Sequence, residues 1–230
     1  MTPGNRKGVT LRRPLDAQGL DEGVRWLTRR DRHLRRIVRH HGPPPLWERP
    51  GGFRTLVQIV LEQQVSLAAG KAALGRIERR YGRLSPARLI EAGDEGLREV
   101  GITRQKSRYI VGLARACGEG SLNLRRLPSR SDHEIREAHT RHTGIGQWTA
   151  DVYLLMAMRR PDIWPPGDLA LQKALQWAMA LPERPTGEGE LAIAAAWSPW
   201  RAVAARILWH GYLCEGRTAA KQASRNGASA

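Results

Sequence analysis

His142-Thr143-Gly144-Ile145-Gly146-Gln147-Trp148-Thr149-Ala150-Asp151 separates two stretches of helical apolar spacing and reads as a helix-hairpin-helix turn. Gly144 and Gly146 are both expected to supply the positive φ and close backbone approach that so tight a hairpin needs. The amides at the start of the next helix are then free to face an anion, so the turn is suited to holding a phosphate. A Gly-x-Gly pair alone is a weak signal. Its weight comes from Trp148-Thr149-Ala150-Asp151 on the second helix and, beyond a proline-rich loop, Pro165-Pro166-Gly167-Asp168-Leu169.

Composition agrees with a polyanionic partner. The 230 residues carry 38 Lys plus Arg against 22 Asp plus Glu, a formal net charge of +16, which suits binding driven by counterion release. An arginine-rich proteome would give the same balance whatever the function, so charge alone does not choose. Cys117 and Cys214 are too few for a disulfide framework or a four-cysteine iron-sulfur site, and a reduced cytosolic compartment is the default. Met1 to Arg13 has charge but no apolar core of a signal sequence, and no apolar run is long enough to span a bilayer. A cytoplasmic, nucleoid-associated location and no membrane partner are therefore expected.

Strand signals are nearly absent. Apolar residues recur at helical spacing, as in Phe53, Leu56, Val57, Val60 and Leu61, or Ile110, Leu113, Ala114 and Cys117, which makes the chain all-α. Ser85-Pro86 and Ser198-Pro199 look like helix starts, Ser131 with Glu134 matches a capping box, and Gly82, Gly101 and Gly118 look like helix ends. Helices are expected near 18–40, 51–62, 66–81, 86–92, 94–100, 104–117, 131–141, 147–159, 168–180, 188–196 and 199–213. Gly42-Pro43-Pro44-Pro45 and the stretch Arg160 to Pro166 are rigid connectors. The expected organisation is a disordered basic arm over 1–14, an N-terminal helix within 15–50, a central helical bundle with the hairpin over 51–160, C-terminal helices with Asp168 over 161–217, and a disordered tail over 218–230.

Several side chains could carry chemistry. Asp168 follows Pro-Pro-Gly at the start of a helix, where first-turn amides can hold a carboxylate; on that feature alone it is an N-cap. Trp148 and Trp209 are aromatic candidates for a base pocket. Trp148 could equally be core beneath the hairpin, whereas Trp209 stands off the apolar stripe formed by Trp200, Val203, Ala204, Ile207 and Leu208. Glu62-Gln63-Gln64-Val65-Ser66 breaks the apolar pattern with polar residues and an expected cap at Ser66, either a simple turn or a loop with a projecting side chain. Gly101-Ile102-Thr103 followed by Lys106-Ser107-Arg108 suits phosphate contact or a solvated face. His139 and His142 lack the companions of a zinc site and are expected as exposed helix residues.

The ordered set of these motifs, over roughly residues 20 to 215, resembles the helix-hairpin-helix DNA glycosylase superfamily, and most closely its alkylation-repair branch, the 3-methyladenine DNA glycosylase II enzymes. The resemblance implies a two-lobed fold in which the N-terminal helix packs with the C-terminal helices and a DNA-binding groove runs between the lobes. It assigns catalysis to Asp168, base-pocket rings to Trp148 and Trp209, and DNA contacts to Thr143, Gly144, Ile145, Gly146, Thr149 and Lys106. A side chain from the Gln-Gln-Val-Ser loop would fill the gap left by a flipped nucleotide, Gln64 being the first choice and Gln63 close behind. One pocket aromatic of the family is replaced by Val152, with Tyr153 next to it.

What the resemblance implies is a monofunctional glycosylase acting, as a monomer, on double-stranded DNA that contains alkylated bases. No organic cofactor is implied, and hairpin carbonyls would hold a monovalent cation when DNA is bound, as in relatives. Bifunctional relatives carry a lysine where this chain has Trp148, and Lys173 is the lysine nearest in sequence to Asp168. Two other readings stand beside this one: a noncatalytic helix-hairpin-helix DNA-binding protein, which would have no use for Asp168 or the pocket aromatics, and a glycosylase for oxidised or deaminated bases.

Overall fold

The computed structural model describes residues 13–227, with side chains described through 216. In chain order the helices are α1 (Ala17–Arg30), α2 (Arg32–His41), α3 (Phe53–Glu62), α4 (Leu67–Tyr81), α5 (Pro86–Glu99), α6 (Arg104–Gly118), α7 (Asp132–Thr140), α8 (Gln147–Met156), α9 (Leu169–Met179), α10 (Gly187–Ala195) and α11 (Arg201–Gly227). A single 3-10 turn, Leu127–Ser129, lies between α6 and α7, and no strand occurs among the described residues. No helix among them is long and apolar enough to cross a membrane. The expected disorder of 1–12 and 228–230 lies outside the described residues. The backbone of α11 runs as helix to Gly227, although disorder was expected from 218.

The chain divides into two compact units. One holds the chain up to Leu46, Arg159–Trp164 and everything from Leu169 on; the other holds Trp47–Met158 and Pro165–Asp168. Asp168 thus groups with the hairpin rather than with the C-terminal helices.

In the first unit α2 packs on α1, α9 and α11. The helix expected over 18–40 is broken at Asp31. Its backbone N–H still bonds Leu27 O, ending α1, while its Oδ1 accepts from the His33 and Leu34 N–H groups and starts α2. Asp31 Oδ2 also accepts from the Trp197 indole at 2.9 Å, which fixes the bend against the loop before α11. Buried Glu190 on α10 accepts from Trp164 and Gln172 at 3.0 and 2.9 Å. Ser198-Pro199 does not open α11. The helix starts at Arg201, whose amide and guanidinium both bond Asp162, and that carboxylate also accepts from the Ser198 hydroxyl.

The second unit is built on α3, which packs against α4, α6 and α8, with α5 on α6 and α7 on α8. Local signals behave here as expected: Ser85 accepts from the Arg88 amide with Pro86 in the first turn, Ser131 and Glu134 form a capping box, and Gly93 at φ 63 breaks α5 between its two expected halves. From Thr149 to Met156 every residue of α8 is buried, so this helix is the centre of the unit. Tyr153 is core, its hydroxyl accepting from the Gly52 amide at 2.9 Å. Burial pushes the Cys117 thiol up to about 11, which makes it a packing group rather than a nucleophile.

The two hairpin helices are tied by an ion pair. Arg136 on α7 donates to fully buried Asp151 on α8 at 2.6 Å. Burial raises the Asp151 carboxyl above its ordinary range, and Arg136 pulls it back down. Arg136→Met should cost roughly 3 kcal/mol in urea unfolding, because it strands a buried carboxylate. In the variant the folded-state pKa rises further above the unfolded value of about 3.9, so the deficit grows as pH rises and shrinks towards acid. The gap from wild type should be larger at pH 7 than at pH 4.5. An equal gap at both would show that the ion pair is not the cause.

Candidate active site and nucleic-acid interface

The hairpin turn is held from three sides. Gly144 has φ 88, and a Cβ there would overlap the Tyr109 ring, so the residue must be glycine for both conformation and space. Tyr109 is itself tethered through its hydroxyl to Gln105 at 2.7 Å, a support with no signal in the sequence. Ile145 is buried and anchors the turn from beneath. Gly146 departs from expectation: its φ is −81, its backbone is extended, and a Cβ there would meet nothing within 4 Å. Gly146 serves as the N-cap of α8 and makes no side-chain cap hydrogen bond, so the first-turn amides of α8 have no internal acceptor at that position.

Gln63 reaches across to this turn. Its Nε2 donates to Gly144 O at 2.9 Å and to Thr149 Oγ1 at 2.8 Å. Gln63 is therefore a tie between the α3 loop and the hairpin, while the next residue, Gln64, is exposed and takes φ 56, an uncommon conformation for a non-glycine. Thr149 is 1% exposed, and its hydroxyl serves Gln63. Its side chain faces inward rather than outward to solvent, where a DNA-contacting hydroxyl was expected. Glu62, the first polar residue of the loop motif, is buried in a two-point pair with Arg49 at 2.8 and 3.2 Å.

Lys106 also differs from expectation. Its Nζ donates to Leu61 O and Gln63 O at 2.7 and 2.9 Å, capping the C-terminal end of α3. Burial lowers its pKa. It holds the loop rather than presenting a free ammonium to a phosphate. Lys106→Met should lower the stability of the fold by about 1–2 kcal/mol in urea unfolding, since two carbonyls lose their charged donor. An unchanged midpoint would show that the capping contact carries no weight.

Trp148 and Asp168 meet. The half-buried indole in the first turn of α8 donates through Nε1 to Asp168 Oδ2 at 2.9 Å, across 20 residues of sequence. The arrangement places the carboxylate at the N–H edge of the Trp148 ring, and Trp148 itself follows directly on the turn. Trp209 lies half-buried on α11 in the other unit, and Lys173 is exposed on α9. His139 is not an exposed helix residue: it is fully buried, bonds Ile135 O through Nδ1 at 2.8 Å and packs on Tyr153, and burial lowers its pKa. His142 is half-buried just past the end of α7. No group of three or more His, Cys, Asp or Glu among the described residues is placed to hold a metal ion.

A candidate DNA-3-methyladenine glycosylase of Bacillus subtilis is 26% identical over 76% of this chain, and the chain spans 64% of that protein's length. DNA-3-methyladenine glycosylase 1 of Schizosaccharomyces pombe is 26% identical over 85% of this chain and 92% of its own. The structure of the S. pombe 3-methyladenine DNA glycosylase in complex with abasic DNA superimposes with a TM-score of 0.75 at 25% identity, covering 82% of this chain and 95% of that one. The family model of HhH-GPD superfamily base excision DNA repair proteins matches residues 57–200, and the chain belongs to that superfamily.

Proposed function

We propose that this protein is a monofunctional DNA glycosylase that flips an alkylated, cationic purine out of duplex DNA and hydrolyses its N-glycosidic bond. The observation that carries the reading is the Trp148 to Asp168 hydrogen bond, which joins a carboxylate to an aromatic side chain next to the hairpin turn. As the bond breaks, the sugar gains oxocarbenium character, and the Asp168 carboxylate stabilises that charge. Water adds to C1′, the base departs neutral, and the products are free base, an abasic site and a proton. A base that is already cationic needs no dedicated general acid. The same charge is what the rings of Trp148 and Trp209 would favour over normal bases.

In this reading the first-turn amides of α8 take a DNA phosphate, with Thr143 to Gly146 forming the turn around it. Gln64, exposed and held out by the strained loop, is the side chain proposed to fill the vacated stack, because Gln63 is engaged with the hairpin. Of the turn's carbonyls, that of His142 accepts from the Ile145 amide and that of Gly144 from Gln63. Those of Thr143 and Ile145 are the oxygens suited to a monovalent cation.

The test is a panel of duplexes, each bearing one lesion, incubated with purified protein and scored for abasic sites. Release of 3-methyladenine or 7-methylguanine is expected. Failure on every alkylated purine, with release of an oxidised or deaminated base, would overturn the substrate class.

A further inference from the structure

The α2 helix carries a feature that the proposed reaction does not use. Arg32, Arg35, Arg36 and Arg39 fall at i, i+3, i+4 and i+7, on one face, with Leu34 and Ile37 buried on the other. Together with His40 they line a cleft of about 320 Å³. Among the described residues none of the four guanidinium groups forms an ion pair. Two of them are nevertheless fixed in place. Arg35 donates to Thr28 O and Arg29 O at 2.6 and 3.1 Å, at the end of α1, and Arg36 donates to Ala178 O at 2.6 Å, where His33 also bonds.

Like charges three and four residues apart on a helix repel and destabilise it. Holding four of them in one cleft without a carboxylate is therefore costly unless an anion joins them. We infer that this arginine row is a second phosphate-contact surface for the DNA backbone, built from residues other than those of the hairpin; the inference rests on the proposed action on DNA. The row is about 10 Å long at 1.5 Å per residue. One strand carries a charge every ~3.4 Å of helix axis, so the row faces about three phosphates. Contacts of this kind read backbone and not base, so they act on damaged and undamaged DNA alike.

The experiment measures binding of an undamaged duplex to the full chain by fluorescence anisotropy across a salt series. Arg32→Gln with Arg39→Gln removes the two exposed ends of the row and spares the anchored Arg35 and Arg36. Arg115→Gln with Arg184→Gln, both exposed elsewhere, is the charge-matched control. The slope of log affinity against log salt should become shallower by about 1.8 in the first variant, at 0.9 per phosphate contact, and stay at the wild-type value in the control. An unchanged slope in the first variant, or an equal change in the control, would overturn the inference. Base release by the wild-type protein is scored separately on lesion duplexes, so loss of the catalytic reading would not be mistaken for loss of this surface.

Discussion

Asp168→Asn is expected to reduce base release from an alkylated duplex by about 10²–10³-fold, the scale seen when one preorganised electrostatic group is removed from a site, while leaving duplex affinity within about twofold. The substitution keeps size and an oxygen for the Trp148 indole to bond, and it removes the negative charge. A neutral amide cannot offset a positive sugar. Single-turnover excision on a 7-methylguanine duplex, with thermal unfolding as a check on the fold, reads the effect. Excision within tenfold of wild type would exclude Asp168 as the catalytic carboxylate.

Gly144→Ala should be the most damaging change in the hairpin. A Cβ would overlap the Tyr109 ring and would have to be carried at φ 88, two penalties of about 1–3 kcal/mol each. The turn then distorts, and affinity for damaged and undamaged duplex should fall together by more than tenfold. Gly146→Ala offers the contrast, since its φ is −81 and the space beside it is open. That variant should keep near-wild-type stability and affinity. Equal behaviour of the two variants in duplex titrations would contradict this account of the turn.

The sequence was readable where structure is set locally. Helical spacing, the Ser85-Pro86 start, the Ser131 capping box and the positive φ at Gly144 are set by neighbours a few residues away, whereas the Tyr109 ring that also demands glycine there comes from α6. The bend at Asp31 was equally local, since an Asp two and three residues before the amides it caps is a helix start, yet the continuous apolar pattern on either side concealed it. Roles set by distant partners were not readable. Lys106 had the look of a phosphate ligand and caps α3 instead; Thr149 faces Gln63; His139 is buried against Tyr153. Gly146 looked like its neighbour Gly144, and only backbone geometry separates them. The pairing of Trp148 with Asp168 joins points 20 residues apart, and no local pattern encodes that contact; the resemblance names both residues only as candidates.

The central claim is the proposed hydrolysis by water without a covalent enzyme-DNA intermediate, which rests on Trp148 standing where the resemblance expects the attacking lysine of bifunctional relatives. The direct measurement incubates the protein with a 5′-labelled 7-methylguanine duplex in the presence of borohydride and resolves the strands before and after alkali. The account predicts a full-length strand carrying an abasic site, cleavage only after alkali, and no trapped protein-DNA adduct. An efficient adduct, or strand cleavage before alkali, would contradict it and make Lys173 the first residue to test.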